Sequence, residues 1–196
     1  MQIDVKNLYK TYANQVVLED LSCSFSSGTF HCIMGESGKG KTTLLRILMH
    51  LEEADSGQVL GLNNKKIRAV FQEDRLLEEN TAMDNIMFVM PHSDDKARNT
   101  VRIACEEVGL AGNENKPVKE LSGGMKRRVA ILRAFLSDFD VLLLDEPLKG
   151  LDLDNKKKVV RFMKSILNRK ENEYIVIMVT HDKEDVELVG GSVCLL

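Results

Sequence analysis

Eight consecutive residues, Gly35-Glu36-Ser37-Gly38-Lys39-Gly40-Lys41-Thr42, satisfy G-x-x-x-x-G-K-[ST] at every fixed position. An apolar strand pattern at 29–34 precedes them and a periodic helix pattern at 41–51 follows. Glycines, having no Cβ, let successive backbone N–H groups curl around phosphate oxygens. The start of the next helix adds the positive end of its dipole. In such a loop Lys41 reaches the β- and γ-phosphates, and the Thr42 hydroxyl ligates Mg²⁺. Lys39 occupies a variable position and reads as solvated, with no catalytic part. A second cluster lies far along the chain, where Val141-Leu142-Leu143-Leu144 runs into Asp145-Glu146. By themselves two acids at a strand's end are ordinary surface residues. Beside a phosphate loop, Asp145 can hold the Mg²⁺ shell through water, and Glu146 can accept a proton from an attacking water.

These residues need a scaffold, and the periodicities describe one. Ile3 and Val5, then Leu21, Cys23 and Phe25, alternate with polar neighbours as half-buried strands do. Leu44, Leu45, Leu48 and Leu51 share one face of the helix at 41–51. Residues 57–60 and 67–71 are short strands about a turn near Asn63-Asn64. From Thr81 to about Ser137 the pattern is helical, with Ile86, Val89, Val101, Ala104, Cys105, Val108 and 129–136 supplying apolar faces. The run 141–144 has the length and composition of a parallel strand buried on both faces. A helix from 153 to about 170, a strand at 174–179, a short helix at 183–188 and a strand near 193–196 complete the chain. This succession predicts an α/β sheet with a helical lobe inserted in it. We expect one domain, with a core and β subdomain at about 1–76 and 137–196 and a helical subdomain at about 77–136.

Composition excludes several classes. Among 196 residues, 27 Lys and Arg face 30 Asp and Glu, a net charge of −3 without the basic excess of a nucleic-acid binder. A hydrophobic share of 43% and a charged share of 29% exclude a disordered or collagen-like chain. The longest apolar runs fall short of the roughly 18–20 residues of a transmembrane helix. The opening residues 1–6 have no apolar signal region, so a mature cytosolic start is expected. Cys23, Cys32, Cys105 and Cys194 form no Cys-x-x-Cys pair and are expected to be reduced core thiols. His31, His50 and His92 carry no motif and are expected to be structural or exposed. Lys156-Lys157-Lys158 reads as the solvated face of a helix.

Between the two clusters lies Leu121-Ser122-Gly123-Gly124-Met125, followed by Lys126-Arg127-Arg128 and a helix. This resembles the signature sequence of ATP-binding-cassette (ABC) ATPases, and the order of the other motifs agrees over essentially the whole chain. The resemblance implies a P-loop NTPase core with an antiparallel β subdomain and a helical subdomain. It implies that two copies close head to tail around two ATP molecules, so that Ser122, Gly123, Gly124 and Met125 of one chain face the phosphate loop of the other. A serine and two glycine amides at a helix start would make a second anion site. The family pattern further assigns Tyr12 to stacking on adenine, Gln72 to the Q-loop and a Mg²⁺ contact, Asp152 to the D-loop and His181 to the switch. Taken alone, Tyr12 is equally a packing residue with Tyr9 as its rival, Gln72 a surface residue, and His181 a helix-start histidine. The implied nucleotide-binding set is Tyr12, Gly35, Glu36, Ser37, Gly38, Lys39, Gly40, Lys41, Thr42 and Thr43. The implied catalytic set is Lys41, Gln72, Glu146 and His181, and Thr42, Gln72 and Asp145 are the metal set.

Ser122 follows Lys41 by 81 positions, which leaves no room for the long coiled coil of chromosome-maintenance and DNA-repair relatives. The chain therefore resembles the separate ATPase subunit of a bacterial transporter. Such a subunit is cytoplasmic and peripheral on the inner face of the membrane. It works with transmembrane permease subunits and a solute-binding protein, and with no nucleic acid. Residues 34–38, Val70-Phe71-Gln72-Glu73-Asp74-Arg75-Leu76-Leu77 and Asp84-Asn85-Ile86 look most like importers of the nitrate, sulfonate and taurine group. The alternative is an ABC ATPase driving a non-transport membrane process, such as lipoprotein release or division signalling. Two departures stand out: Arg127 replaces the glutamine of many relatives, and Lys149 replaces a small residue before the D-loop. The chain ends 15 residues after His181, so no regulatory C-terminal domain is expected.

Overall fold

A computed structural model of the chain describes residues 1–13, 15–36, 38–168 and 174–196. The fold is α/β, with one antiparallel and one parallel sheet. By mutual contact the chain falls into two units, Met1–Ile67 with Phe139–Glu146 and Asn172–Leu196, and Arg68–Asp138 with Pro147–Glu171.

In the first unit, β1 (Gln2–Tyr12), β2 (Gln15–Ser26) and β4 (Ser56–Leu60) form the antiparallel sheet in the order β2-β1-β4. Both β1 and β2 run well past the alternation visible in the sequence. Register shifts between Val5 and Leu8 and between Leu8 and Lys10, with positive φ at Asn7 and Asp20, move the inward face out of phase. A period-two signal cannot survive such bulges. The parallel sheet contains β3 (Phe30–Met34), β6 (Val141–Asp145), β7 (Ile175–Thr180) and β8 (Ser192–Leu195), in the order β6-β7-β3-β8. Every residue of β6 and β7 is buried, as the apolar runs 141–144 and 175–179 require of strands covered on both faces.

Register is what matters for function. Asp145 pairs with Val179, and Met34 pairs with Thr180. The carboxyl ends of three adjacent strands therefore lie level, at the edge where open α/β sheets carry their ligands. Helix α1 (Lys41–Leu48) follows β3 and buries Leu44, Leu45, Ile47 and Leu48. It stops three residues short of the expected 51, because His50 takes φ 55° and Leu51, 57% exposed, has left the apolar face. After β7, Asp182 caps α6 (Lys183–Val189), which ends at Gly190 in the left-handed conformation.

In the second unit, α2 (Ala82–Met87) opens on a capping box between Thr81 and Asp84, and α3 (Asp95–Glu107) is capped by Asp94. They pack with α4 (Gly123–Phe135) and α5 (Leu153–Asn168) around Ile86, Val101, Cys105, Val129, Leu132, Phe135, Phe162 and Met163, all buried. Strand β5 (Ile67–Val70) runs across the sequence boundary of the two units. The expected extension of α5 to Lys170 lies outside the described residues. One expectation is corrected here: Lys156 is buried, not solvated. It shares the inward face of α5 with Val159, Val160 and Met163 at helical spacing, while Lys157 and Lys158 are exposed. Only two of the four thiols are core residues. Cys23 and Cys194 are half-buried, and burial pushes the thiols of Cys32 up to about 11 and of Cys23 and Cys105 up to about 12. No described helix is long and apolar enough to cross a membrane.

The edge-to-face pair of Phe135 and Phe162, with centroids 6.2 Å apart, gives the helical core a measurable anchor. Phe135→Ala should cost about 3–5 kcal/mol, read as a lowered urea midpoint. Phe88→Ala, at a side chain 65% exposed, should stay within about 0.5 kcal/mol of the parent. Equal midpoints for the two variants would contradict this assignment of the core.

Candidate functional site

The loop after β3 reaches α1 through Gly40, whose φ of 83° belongs to the left-handed region. A Cβ there would meet both the Leu18 side chain and the Val17 carbonyl at 2.6 Å, so packing as well as conformation demands glycine. Side chains of Thr81, Asp94, Ser122 and Asp182 cap α2, α3, α4 and α6, but α1 has no side-chain cap. Its first amides thus keep their donor capacity, and with the dipole they favour an anion. Lys41 is 8% exposed, and its Nζ donates to the Gly35 and Glu36 carbonyls at 2.8 Å each. The ammonium is held over the loop by the loop itself. Thr43 is also buried, Lys39 is exposed, and Ser37 lies outside the described residues.

At the end of β6, Asp145 is 6% exposed and its Oδ2 accepts the Thr42 hydroxyl at 3.0 Å. Among the described residues no three His, Cys, Asp or Glu side chains gather as a metal cage. A hydroxyl and a carboxylate converging beside a phosphate loop instead suit Mg²⁺, which takes a few protein oxygens and completes its shell with water and phosphate. The donor set therefore fits that ion.

Glu146 follows with φ 47°, a conformation that side-chain-bearing residues rarely adopt. Its N–H donates to the Val179 carbonyl at 2.9 Å, which fixes the turn against β7. The turn brings Glu146 Oε1 to 2.7 Å from His181 Nδ1. An ionised carboxylate only accepts, so Nδ1 carries the proton and Nε2 is left for another partner. His181 is itself positioned from both sides. Thr180 donates its hydroxyl to the buried Asp185 at 3.2 Å and accepts the Asp182 N–H at 3.1 Å, and Asp182 caps α6. Strained backbone at a site where charges meet is a recognised mark of function.

Tyr12, at the end of β1, is 41% exposed. Its hydroxyl donates to the Glu52 carboxylate, and Lys10 Nζ lies 5.4 Å from its ring centroid. Burial and the bond to Glu52 push the phenol above its usual range. Tyr9 instead donates to Glu19 at 3.1 Å.

Gln72, the signature and the D-loop belong to the second unit. Ser122 is the N-cap of α4 and accepts the Met125 N–H at 3.3 Å, leaving its own proton and the amides of Gly123 and Gly124 without an intrahelical acceptor. Asp152 accepts the Asn155 N–H at 2.9 Å, which holds its carboxyl below the usual range, and Asn155 Nδ2 at 2.6 Å. The Gln72 side chain is exposed while its carbonyl accepts Arg127 Nη2 at 2.6 Å. Sequence reading missed the buried Arg128, whose guanidinium joins the Gly124, Val108 and Gly109 carbonyls to Asn155. The signal for Asn155 was present in its i+3 spacing from Asp152, the spacing of a helix cap.

Replacing Lys41 by Ala removes the only ammonium bonded to the loop carbonyls Gly35 and Glu36 among the described contacts. ATP affinity should fall about 10²-fold by direct titration, since bonds to charged groups carry that scale. Binding as tight as that of the parent would remove Lys41 from the phosphate site.

Comparison with known proteins agrees with this geometry. Residues 18–149 match the family model described as "ABC transporter". The aliphatic sulfonates import ATP-binding protein SsuB 1 of Shouchella clausii is 34% identical over all of this chain and 77% of its own length. The spermidine/putrescine import ATP-binding protein PotA of Spiroplasma citri is 35% identical over 99% of this chain, which spans only 58% of that relative. A bacterial ABC transporter cassette solved as a dimer superposes with a TM-score of 0.83 at 27% identity, covering 99% of this chain and 94% of that one. A second structure, of a cassette in a post-hydrolysis state bound to ADP and Pi, gives 0.83 at 28% identity. With a phosphate loop, an acid pair and a histidine brought to one sheet edge, and with these matches along its length, the chain belongs to the ABC transporter family as an ATP-hydrolysing cassette.

Proposed function

We propose that this chain is the motor subunit of an importer, hydrolysing ATP at composite sites shared with a second cassette chain. The observation that carries the proposal is the level ending of β3, β6 and β7, which gathers Lys41, Thr42, Asp145, Glu146 and His181. In this reading the amides of Gly38, Lys39, Gly40, Lys41, Thr42 and Thr43, with Lys41 itself, receive the phosphates, and Tyr12 offers its exposed ring to adenine. Thr42 and Asp145, with Gln72 as the resemblance implies, would hold Mg²⁺. When bound, that ion neutralises charge developing on the phosphate oxygens. Glu146 accepts the proton of the attacking water. His181 keeps Glu146 oriented through Nδ1 and presents Nε2 to the γ-phosphate.

Ser122, Gly123, Gly124 and Met125 act on the nucleotide of the second chain, and Asp152 lies at the seam between chains. The relatives compared are import subunits, which supports transport over lipoprotein release or division signalling. By the same likeness the chain works on the inner face of the membrane with permease subunits and a solute-binding protein. The sulfonate group is the class of importer we infer.

Two experiments test the reading. Glu146→Gln keeps size and hydrogen bonding but removes the base, so hydrolysis should fall about 10²-fold or more while ATP still binds. Light scattering should then show a doubled mass on adding ATP. Wild-type turnover in that variant would exclude Glu146 as the base. The trans role of the signature is tested by mixing. Ser122→Arg and Lys41→Ala chains should each be nearly inactive, yet a mixed dimer contains one composite site free of both lesions. Partial ATPase activity should return on mixing. Mixed dimers shown by pull-down that stay inactive would contradict shared sites, whereas one ATP-occupied site per dimer without hydrolysis would point to obligatory coupling of the two sites.

A further inference from the structure

Residues 71–80 form neither helix nor strand, and while backbone bonds from Val118 and Lys119 reach Asn80 and Glu78, side chains hold the stretch before them. Two arginines of α4 do so. Arg127 donates Nη1 to the Phe71 carbonyl at 2.7 Å and Nη2 to the Gln72 carbonyl at 2.6 Å. Its Nη1 is also 3.1 Å from Asp74 Oδ1, and the arginine is only 7% exposed. Arg133 takes the next stretch, donating to the Asp74 and Arg75 carbonyls at 3.1 and 3.0 Å. Arg75 in turn lies over the Phe71 ring, 3.7 Å from its centroid. The Gln72 side chain is exposed, so the positions its amide can reach are set by where its backbone is held.

A guanidinium is a rigid planar fork that can span two successive carbonyls. A glutamine at this position would offer one amide group on a shorter stem and could not make both bonds and the ion pair. Lysine keeps the charge but not the fork.

We propose that Arg127 is a positioning residue, which ties the Gln72 backbone to the signature helix and thereby sets how well Gln72 serves Mg²⁺. The proposal rests on the reading of Gln72 as a metal contact, and the test separates the two. In the Glu146→Gln background, ATP affinity is titrated by calorimetry with Mg²⁺ and again with EDTA. The ratio of the two affinities measures what the metal contributes. Arg127→Gln should lower this ratio about tenfold, the lower end for groups that orient a ligand, with the EDTA affinity unchanged. Gln72→Ala should lower it as well, and the double variant should fall no further than Gln72→Ala. Arg133→Gln, which releases carbonyls on the far side of Asp74, should leave the ratio in place.

An unchanged ratio for Gln72→Ala would refute the metal reading of Gln72, and the role of Arg127 with it. An unchanged ratio for Arg127→Gln beside a lowered one for Gln72→Ala would refute Arg127 alone. So would effects that multiply in the double variant, or an equal drop in Arg133→Gln. Should Arg127→Gln fail to fold by circular dichroism, Arg127→Lys serves the same comparison. It keeps the charge opposite Asp74 and is expected to show the lowered ratio, whereas full recovery of the ratio would overturn the fork argument.

Discussion

The chemistry depends on one constraint, the register of three parallel strands. Slipping β6 by one residue against β7 would move Asp145 by about 3.3 Å and turn its side chain to the other face of the sheet. The Thr42–Asp145 bond at 3.0 Å and the His181–Glu146 bond at 2.7 Å could not both survive that displacement. What holds the register is apolar. Every side chain of β6 and β7 is buried, so a slip would misplace a whole layer of Val, Ile and Leu. The most polar corner of the first unit is thus fixed by its least polar strands.

The second unit solves a different problem with different means. Its turns at 121–122 and 147–152 are short and irregular and cannot be held by a ladder. Charged side chains supply the order instead. Arg128 binds the carbonyls of Gly124, Val108 and Gly109 and passes through Asn155 to Asp152. Burial depresses the Arg128 guanidinium, and the nearby Asp152 charge opposes that effect. The bonds to Val108 and Gly109 satisfy carbonyls just past the end of α3 that would otherwise be costly to leave without a donor.

Much of the site could be read from residues whose spacing is their function. A phosphate loop needs glycines at fixed intervals, and a buried strand ending in acids needs an apolar run of fixed length, so both survive in one dimension. The strands of the antiparallel sheet were less legible, because bulges at Asn7 and Asp20 break the alternation on which strand reading relies. Lys156 misled for a related reason: a run of three lysines looks solvated, yet three neighbours span about 200° of a helix, wide enough for one to fall on the inward face. Arg127 was visible only as a departure from its family. That it grips the Phe71 and Gln72 carbonyls, more than fifty residues upstream, is a fact of tertiary structure that no local pattern encodes.

The two hydrogen bonds from Lys41 to its own loop have a bearing on the nucleotide cycle. They occupy two of the three protons of the ammonium, at 2.8 Å each, and leave the third for a phosphate oxygen. Lysine and loop thus brace each other, and a group braced in this way lowers the ordering cost of association. A motor that takes up and lets go of nucleotide in every cycle gains from a charge that its own backbone keeps in place.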